Sequence, residues 1–128
     1  MKTFFFSILF AILIIIGTIV FSGPTKQAEQ KTAVNNVSIL DGKQFIDLTA
    51  KGGYTPRKSL AKAGLQTTLR VNTSGTFDCS SSIRIPSMDI SRILPQTGVT
   101  DIDLGTPQLG TLSGTCGMGM YPFEISFQ

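Results

Sequence analysis

Between Val37 and Phe127 the chain is written largely in period two, and this constrains its fold more than any other feature. In residues 65–72, Leu65, Thr67, Leu69 and Val71 alternate with Gln66, Thr68, Arg70 and Asn72. That is the pattern of a strand with one face buried and the other in water. Residues 44–50 set Ile46, Leu48 and Ala50 against Phe45, Asp47 and Thr49, and residues 100–104 set Ile102 and Leu104 against Asp101 and Asp103. Residues 121–127 put Tyr121, Phe123, Ile125 and Phe127 on one face and Pro122, Glu124 and Ser126 on the other. Shorter runs at 37–40 and 83–85 stop at the turn residues Asp41-Gly42 and at Pro86, and residues 52–56 read as a loop. Residues 59–63 and 90–94 are too short to carry a period and could each be a single helical turn. Six or seven short strands closed by Gly and Pro turns predict an all-β domain over residues 36–128, a β-sandwich or barrel.

A different stretch precedes it. Residues 4–21 hold neither a charge nor a proline, and as a helix they would span about 27 Å at about 1.5 Å per residue, close to the hydrocarbon thickness of a bilayer. The expectation is one N-terminal transmembrane helix, residues 1–21 forming a membrane anchor that holds the lipid bilayer through 4–21. A cleaved secretory signal ending at Val20-Phe21-Ser22 is the rival reading, but its apolar core usually runs only about 7–15 residues. Residues 22–35, polar and opening with Gly23-Pro24 after Ser22, read as a flexible linker. Lys26 and Lys31, offset in part by Glu29, follow the apolar run, and Lys2 with the amino terminus precedes it, which weakly tilts the soluble domain towards the cytoplasmic face of a single-pass cell-membrane protein. A default N-in signal anchor would place it outside.

Charge excludes one class of partner. From Asn36 onward eight basic residues face seven acidic ones, with no Lys/Arg block and no interleaved aromatics, so nucleic acid is not expected.

The chemistry lies in sulfur. The chain contains no histidine, two cysteines and four methionines, and three of those sulfurs fall in Gly114-Thr115-Cys116-Gly117-Met118-Gly119-Met120. Thiolate and thioether donors without imidazole or paired carboxylates favour Cu(I) over zinc, iron or Cu(II). Extended, the segment would line Cys116, Met118 and Met120 along one surface; its glycines equally permit a tight loop wrapped around an ion. Cys79 and Cys116 with Met118 would make a trigonal Cu(I) site, and Met120 could serve a second, weaker one. The rival is a Cys79–Cys116 disulfide, worth about 4 kcal/mol for a loop of this size, with Met118 and Met120 as core filler.

Other motifs carry less. A blue-copper electron-transfer centre needs two imidazoles. Ser113 has no histidine to act as its base, Asp101 and Asp103 read as a solvated face, and no enzymatic constellation remains. Leu94-Pro95-Gln96-Thr97-Gly98 matches a sortase signal, but strand-like sequence follows it instead of an apolar span and a basic tail, so it reads as a turn.

Gly52-Gly53-Tyr54-Thr55-Pro56, Ala63-Gly64, Phe77-Asp78-Cys79, Ile85-Pro86, the Cys116-Gly117-Met118-Gly119-Met120 run and an apolar last strand together resemble the cupredoxin-like domains of bacterial copper handling. With the N-terminal anchor the chain is most similar to the CupA-type membrane-anchored Cu(I) chaperones. The resemblance implies a cupredoxin-like Greek-key β-sandwich holding one or two Cu(I) ions between loops at one end. It implies a high-affinity site of Cys79, Cys116 and Met118, an adjacent lower-affinity site using Met120, and delivery to the metal-binding domain of a copper-exporting P-type ATPase. The family's second site draws on methionines outside the motif, and this chain offers only Met88 for that role.

Overall fold

A computed structural model describes residues 35–128. The expected anchor, and all of the expected linker but its last residue, lie outside the described residues; among those described, no helix is long and apolar enough to cross a membrane. Among the described residues, ten strands form two sheets. The first contains β1 (Val37–Leu40), β2 (Lys43–Ala50), β3 (Tyr54–Thr55), β5 (Gln66–Thr73) and β8 (Gly98–Asp103), in the order β1-β2-β5-β8 with β3 on the end of β2. The second runs β4 (Lys58–Ala61), β10 (Pro122–Phe127), β9 (Gly110–Cys116), β6 (Ser82–Ile85) and β7 (Ile90–Ile93). Parallel pairing of β2 with β5 and of β4 with β10 makes neighbours of strands far apart in sequence.

The alternation read from the sequence is the alternation that packs. Ile46 and Leu48 from β2, Leu69 and Val71 from β5, Ile83 and Ile85 from β6, and Phe123 and Ile125 from β10 are all buried in one core. Asp101 and Asp103 point outward, where Asp101 pairs with Arg70 at 3.2 Å and Asp103 accepts a hydrogen bond from the Gln66 side chain at 2.7 Å. A pair as exposed as Arg70–Asp101 contributes at most about 1 kcal/mol.

Besides the two-residue β3, which lies inside the expected loop 52–56, three strands were not anticipated. Residues 59–63 and 90–94 are not helical turns: the first overlaps β4 and the second contains β7. Ser59 and Ala61 of β4 face inward and Lys58 and Leu60 outward, an alternation too brief to register in sequence. A buried side chain fixes the turn that follows. Gln44 accepts the Lys62 N–H at 2.8 Å and donates to the Lys62 carbonyl at 3.0 Å and to the Thr67 hydroxyl at 3.0 Å. β7 is an edge strand, reached from β6 through the 3₁₀ turn Pro86–Met88 and Asp89, whose φ of 53° closes the hairpin.

The third, β9, escaped notice because its inward positions include a glycine. Gly114 sits directly across from Phe123 of β10, and the ring fills the space that a side chain there would occupy. Phe123 in turn meets the buried Tyr54 ring edge-on, with centroids 5.0 Å apart. An added methyl has nowhere to go, so Gly114→Ala should cost about 1–3 kcal/mol, the usual range for overpacking. Denaturant unfolding would measure it, and Phe123→Leu in the same chain should recover part of the loss.

Candidate metal centre

At the end of the sandwich where β2, β5 and β9 finish, four segments converge: residues 51–53, 74–81, 94–97 and 117–121. Cys79 opens the 3₁₀ turn Cys79–Ser81, and Asp78 caps it. One carboxylate oxygen of Asp78 accepts the Ser80 N–H at 2.8 Å and the Ser80 hydroxyl; the other accepts the Gly52 N–H at 2.6 Å. These bonds favour the charged form, and with the Ser80 hydroxyl as the largest cause they hold the carboxyl below its ordinary value of 3.8. An aspartate one residue ahead of a tight turn, followed by serine two residues on, is a capping signature; the sequence reading passed over it.

Cys116 is the last residue of β9 and is fully buried. The β6–β9 register sets it opposite Ile83, so the strand that follows the Cys79 turn delivers the two sulfurs to one place. There Cys79 and Cys116 are joined as a disulfide, with their Cα atoms 5.7 Å apart.

Beyond Cys116 the chain does not continue extended. Gly119, at φ +76°, donates its N–H to the Cys116 carbonyl at 2.9 Å, and the Cys116 N–H reaches the Tyr121 carbonyl at 3.3 Å. Of the two conformations the glycines allow, the tight loop forms. The cluster therefore divides. Cys116 is at 0% exposure, while Met118 and Met120 are 79% and 59% exposed in the loop. Neither methionine is core filler.

Met88 lies elsewhere. It closes the turn that follows β6, and since Ile83 faces Cys116, that turn passes beside the opposite half of β9, about four residues or ~13 Å away along the strand. There it lines a groove of about 320 Å³ with Leu104, Leu112 and Phe127. The structure brings Cys79 and Cys116 together, sets Met118 and Met120 in the adjoining loop, and does not bring Met88 to them.

The sortase-like motif has a structural task here. Leu94 is buried with its N–H on the Ser81 carbonyl at 2.8 Å, the Gln96 carbonyl accepts the Thr76 N–H at 2.9 Å, and the Thr97 hydroxyl accepts the Gly75 N–H at 3.0 Å. Residues 94–97 thus brace the segment that carries Cys79. Among the described residues no group of three His, Cys, Asp or Glu side chains is placed to hold a metal ion. The donors in this loop cluster with affinity for a soft ion are the sulfurs.

The family model for the cupredoxin-like domain matches residues 10–124. The chain belongs to the cupredoxin-like domain family. Among solved structures, this cupredoxin-like chain is similar to the metal-binding domain of the Cu(I)-exporting P-type ATPase CopA of Streptococcus pneumoniae D39, determined with Cu(I). The TM-score is 0.66 at 21% identity, over 72% of this chain and 92% of that one. It is similar also to the solution structure of a copper-binding protein in its apo form, at TM-score 0.66 and 23% identity, over 72% and 94% of the two chains. At such identities the likeness shows the sandwich and nothing finer. Comparison with curated proteins returns no match.

Proposed function

We propose that this cupredoxin-like domain is a Cu(I) chaperone, held to the cytoplasmic face of a cell membrane by residues 4–21, which carries copper to the metal-binding domain of a copper-exporting P-type ATPase. It is not an enzyme. The observation that carries the reading is the meeting of Cys79 and Cys116 at the loop end of the sandwich, with Met118 and Met120 exposed beside them in a chain without histidine. Reduction of the disulfide by a dithiol, which takes up two electrons and two protons, gives two thiols; their thiolates with the Met118 thioether form a three-coordinate soft site. Two or three ligands leave Cu(I) open to an entering thiolate, so the ion passes by exchange without release into solvent. With Met88 beside the opposite half of β9, Met120 is left as a single neutral donor, which suits a landing position for a second, weakly held ion.

The partner reading draws on the same end of the molecule. Phe77, two residues ahead of Cys79, is 75% exposed, and Met118 and Met120 are exposed in the loop that follows Cys116. Exposed apolar groups around a polar centre suit docking against another protein. The likeness to a domain that belongs to a Cu(I)-exporting ATPase supports an exporter as that protein.

The disulfide itself favours a second reading, an anchored binding module stabilised by the bond and free of metal. Anaerobic Cu(I) titration against a competing chelator separates the two. The chaperone reading expects the reduced chain to take up one ion tightly and the oxidised chain none. No tight uptake by the reduced chain would overturn it and leave the module, and equal uptake by both forms would remove the thiolate site.

A further inference from the structure

We propose that Ser82 is the positioning residue of the sulfur pair, its hydroxyl bridging the two cysteine-bearing segments so that the thiols stay together once the disulfide opens. The inference rests on the copper reading for its purpose, but its geometry is independent of metal. Ser82 is the first residue of β6, directly after the Cys79–Ser81 turn. Its Oγ donates to the Cys79 carbonyl at 3.3 Å and accepts the Gly117 N–H at 3.0 Å. Its own backbone N–H also reaches the Cys79 carbonyl. From below, the buried Tyr54 donates its hydroxyl to the Ser82 carbonyl at 2.6 Å, and that ring is wedged against Phe123. Ser82 is thus moored to the core while touching the residue that carries one sulfur and the residue that follows the other.

Only a hydroxyl performs this task, because it donates and accepts at the same atom. Alanine would leave the Gly117 N–H without its protein partner. None of these bonds involves sulfur, so opening the disulfide removes no atom that makes them. Cys116 is immobilised by its place in the buried face of β9. The Cys79 turn is the part free to drift. Besides the Leu94 N–H on the Ser81 carbonyl, two side chains restrain it: Asp78 through Gly52, and Ser82, which alone of the three ties it to the segment that follows Cys116. Without the Ser82 restraint the effective concentration of one thiol at the other falls, and any ion that needs both is held less tightly.

Gly117 points the same way. A Cβ at this position would sit 2.6 Å from the Ser82 Oγ, whereas its next neighbour, the Ser82 Cβ, lies at an ordinary 3.6 Å. Gly117 does not adopt a positive φ, so its backbone does not demand glycine. The hydroxyl does. One of the two glycines of the Cys-Gly-Met-Gly-Met run is therefore explained by a serine 35 residues away in sequence.

The test uses the full chain under anaerobic conditions with two readouts: Cu(I) competition against a chelator, and the metal-free thiol–disulfide equilibrium in a dithiothreitol buffer. Loss of two ordinary hydrogen bonds should lower both by about tenfold in Ser82→Ala, and Ser82→Thr, which keeps the hydroxyl, should restore most of each. Gly117→Ala should lower both on its own, and should cost far less when combined with Ser82→Ala, since the clash is then gone. Thermal unfolding of the oxidised variants reports that they are folded; should Ser82→Ala fail to fold, Gly117→Ala alone against the native chain carries the same expectation. Ser82→Ala within twofold of the native chain in both readouts, or Gly117→Ala within twofold of it, would overturn the proposal. So would a Gly117→Ala cost as large without the hydroxyl as with it. A native chain that binds no Cu(I), but whose sulfur closure weakens in Ser82→Ala, would remove the copper reading and leave the positioning role standing.

Discussion

Cys116→Ser in the reduced chain is expected to weaken Cu(I) binding by more than about a hundredfold, because loss of an outer-shell partner alone costs a metal site about 10–100-fold and this change removes a ligand. Serine keeps the size of the side chain and places an alcohol where the thiolate stood, a donor with little attraction for a soft d¹⁰ ion. Cys79→Ser should match it, since a single remaining thiolate cannot make up the pair. Met118→Leu should cost less, because a neutral thioether at 79% exposure competes with other weak donors and with water. Anaerobic competition against a chelator measures all three. The position needs a control: Cys116 is fully buried beside Ile83, and an unpaired hydroxyl there costs about 1–3 kcal/mol of stability. Thermal unfolding of each variant separates that loss from the loss of binding. A Cys116→Ser chain that is folded and holds Cu(I) within threefold of the native affinity would rule out the thiolate site.

Opening the Cys79–Cys116 bond should lower stability by about 4 kcal/mol in the chain-entropy account of a cross-link between residues 37 apart. For a domain of this size each kcal/mol moves the melting temperature by about 4–8 °C, so a dithiol reductant should lower it by roughly 15–30 °C. Copper should then undo much of the effect. A ligand present at a hundred times its Kd stabilises by about 2.7 kcal/mol, and Cu(I) bound to both thiolates closes the same loop that the disulfide closed. The oxidised chain should show no response to Cu(I), and neither should a Cys79→Ser/Cys116→Ser chain, which should melt near the reduced value. Scanning calorimetry of the four states tests this, and a reduced native chain insensitive to Cu(I) would count directly against the site. On the copper reading, either the bond or the ion would hold the Cys79 turn to β9, and the two would exclude each other.

How far the sequence made this legible depends on the range of the interactions involved. The faces of β2, β5, β8 and β10 could be read because each strand is long enough to show which residues avoid water. β4 and β7 have four residues apiece, and β9 hides one inward position behind Gly114, so periodicity had nothing to register. The soft character of the site was also legible, since it depends only on which side chains exist: sulfur present, imidazole absent. Where those sulfurs lie was not. That Cys79 meets Cys116 follows from Ile83 pairing with Cys116 across β6 and β9, and the same register carries Met88 to the other half of β9. Such pairings are set by packing between distant segments, and spacing along the chain does not encode them. Ser82 left no local signal at all, because its role exists only once Gly117 has been folded against it.

The hairpin between β9 and β10 has one last consequence. Its fastenings lie at its two feet, in the Cys116–Tyr121 backbone bond, the Gly117–Ser82 bond and the Phe123 ring over Gly114. Met118 and Met120, between those fastenings, project into solvent and have no packing duty. On the proposed copper reading, the choice of ion would therefore be a module separable from the scaffold. Exchange of those exposed side chains would then retune metal preference while the sandwich tolerated the change, so a common framework would diverge in cargo faster than in shape.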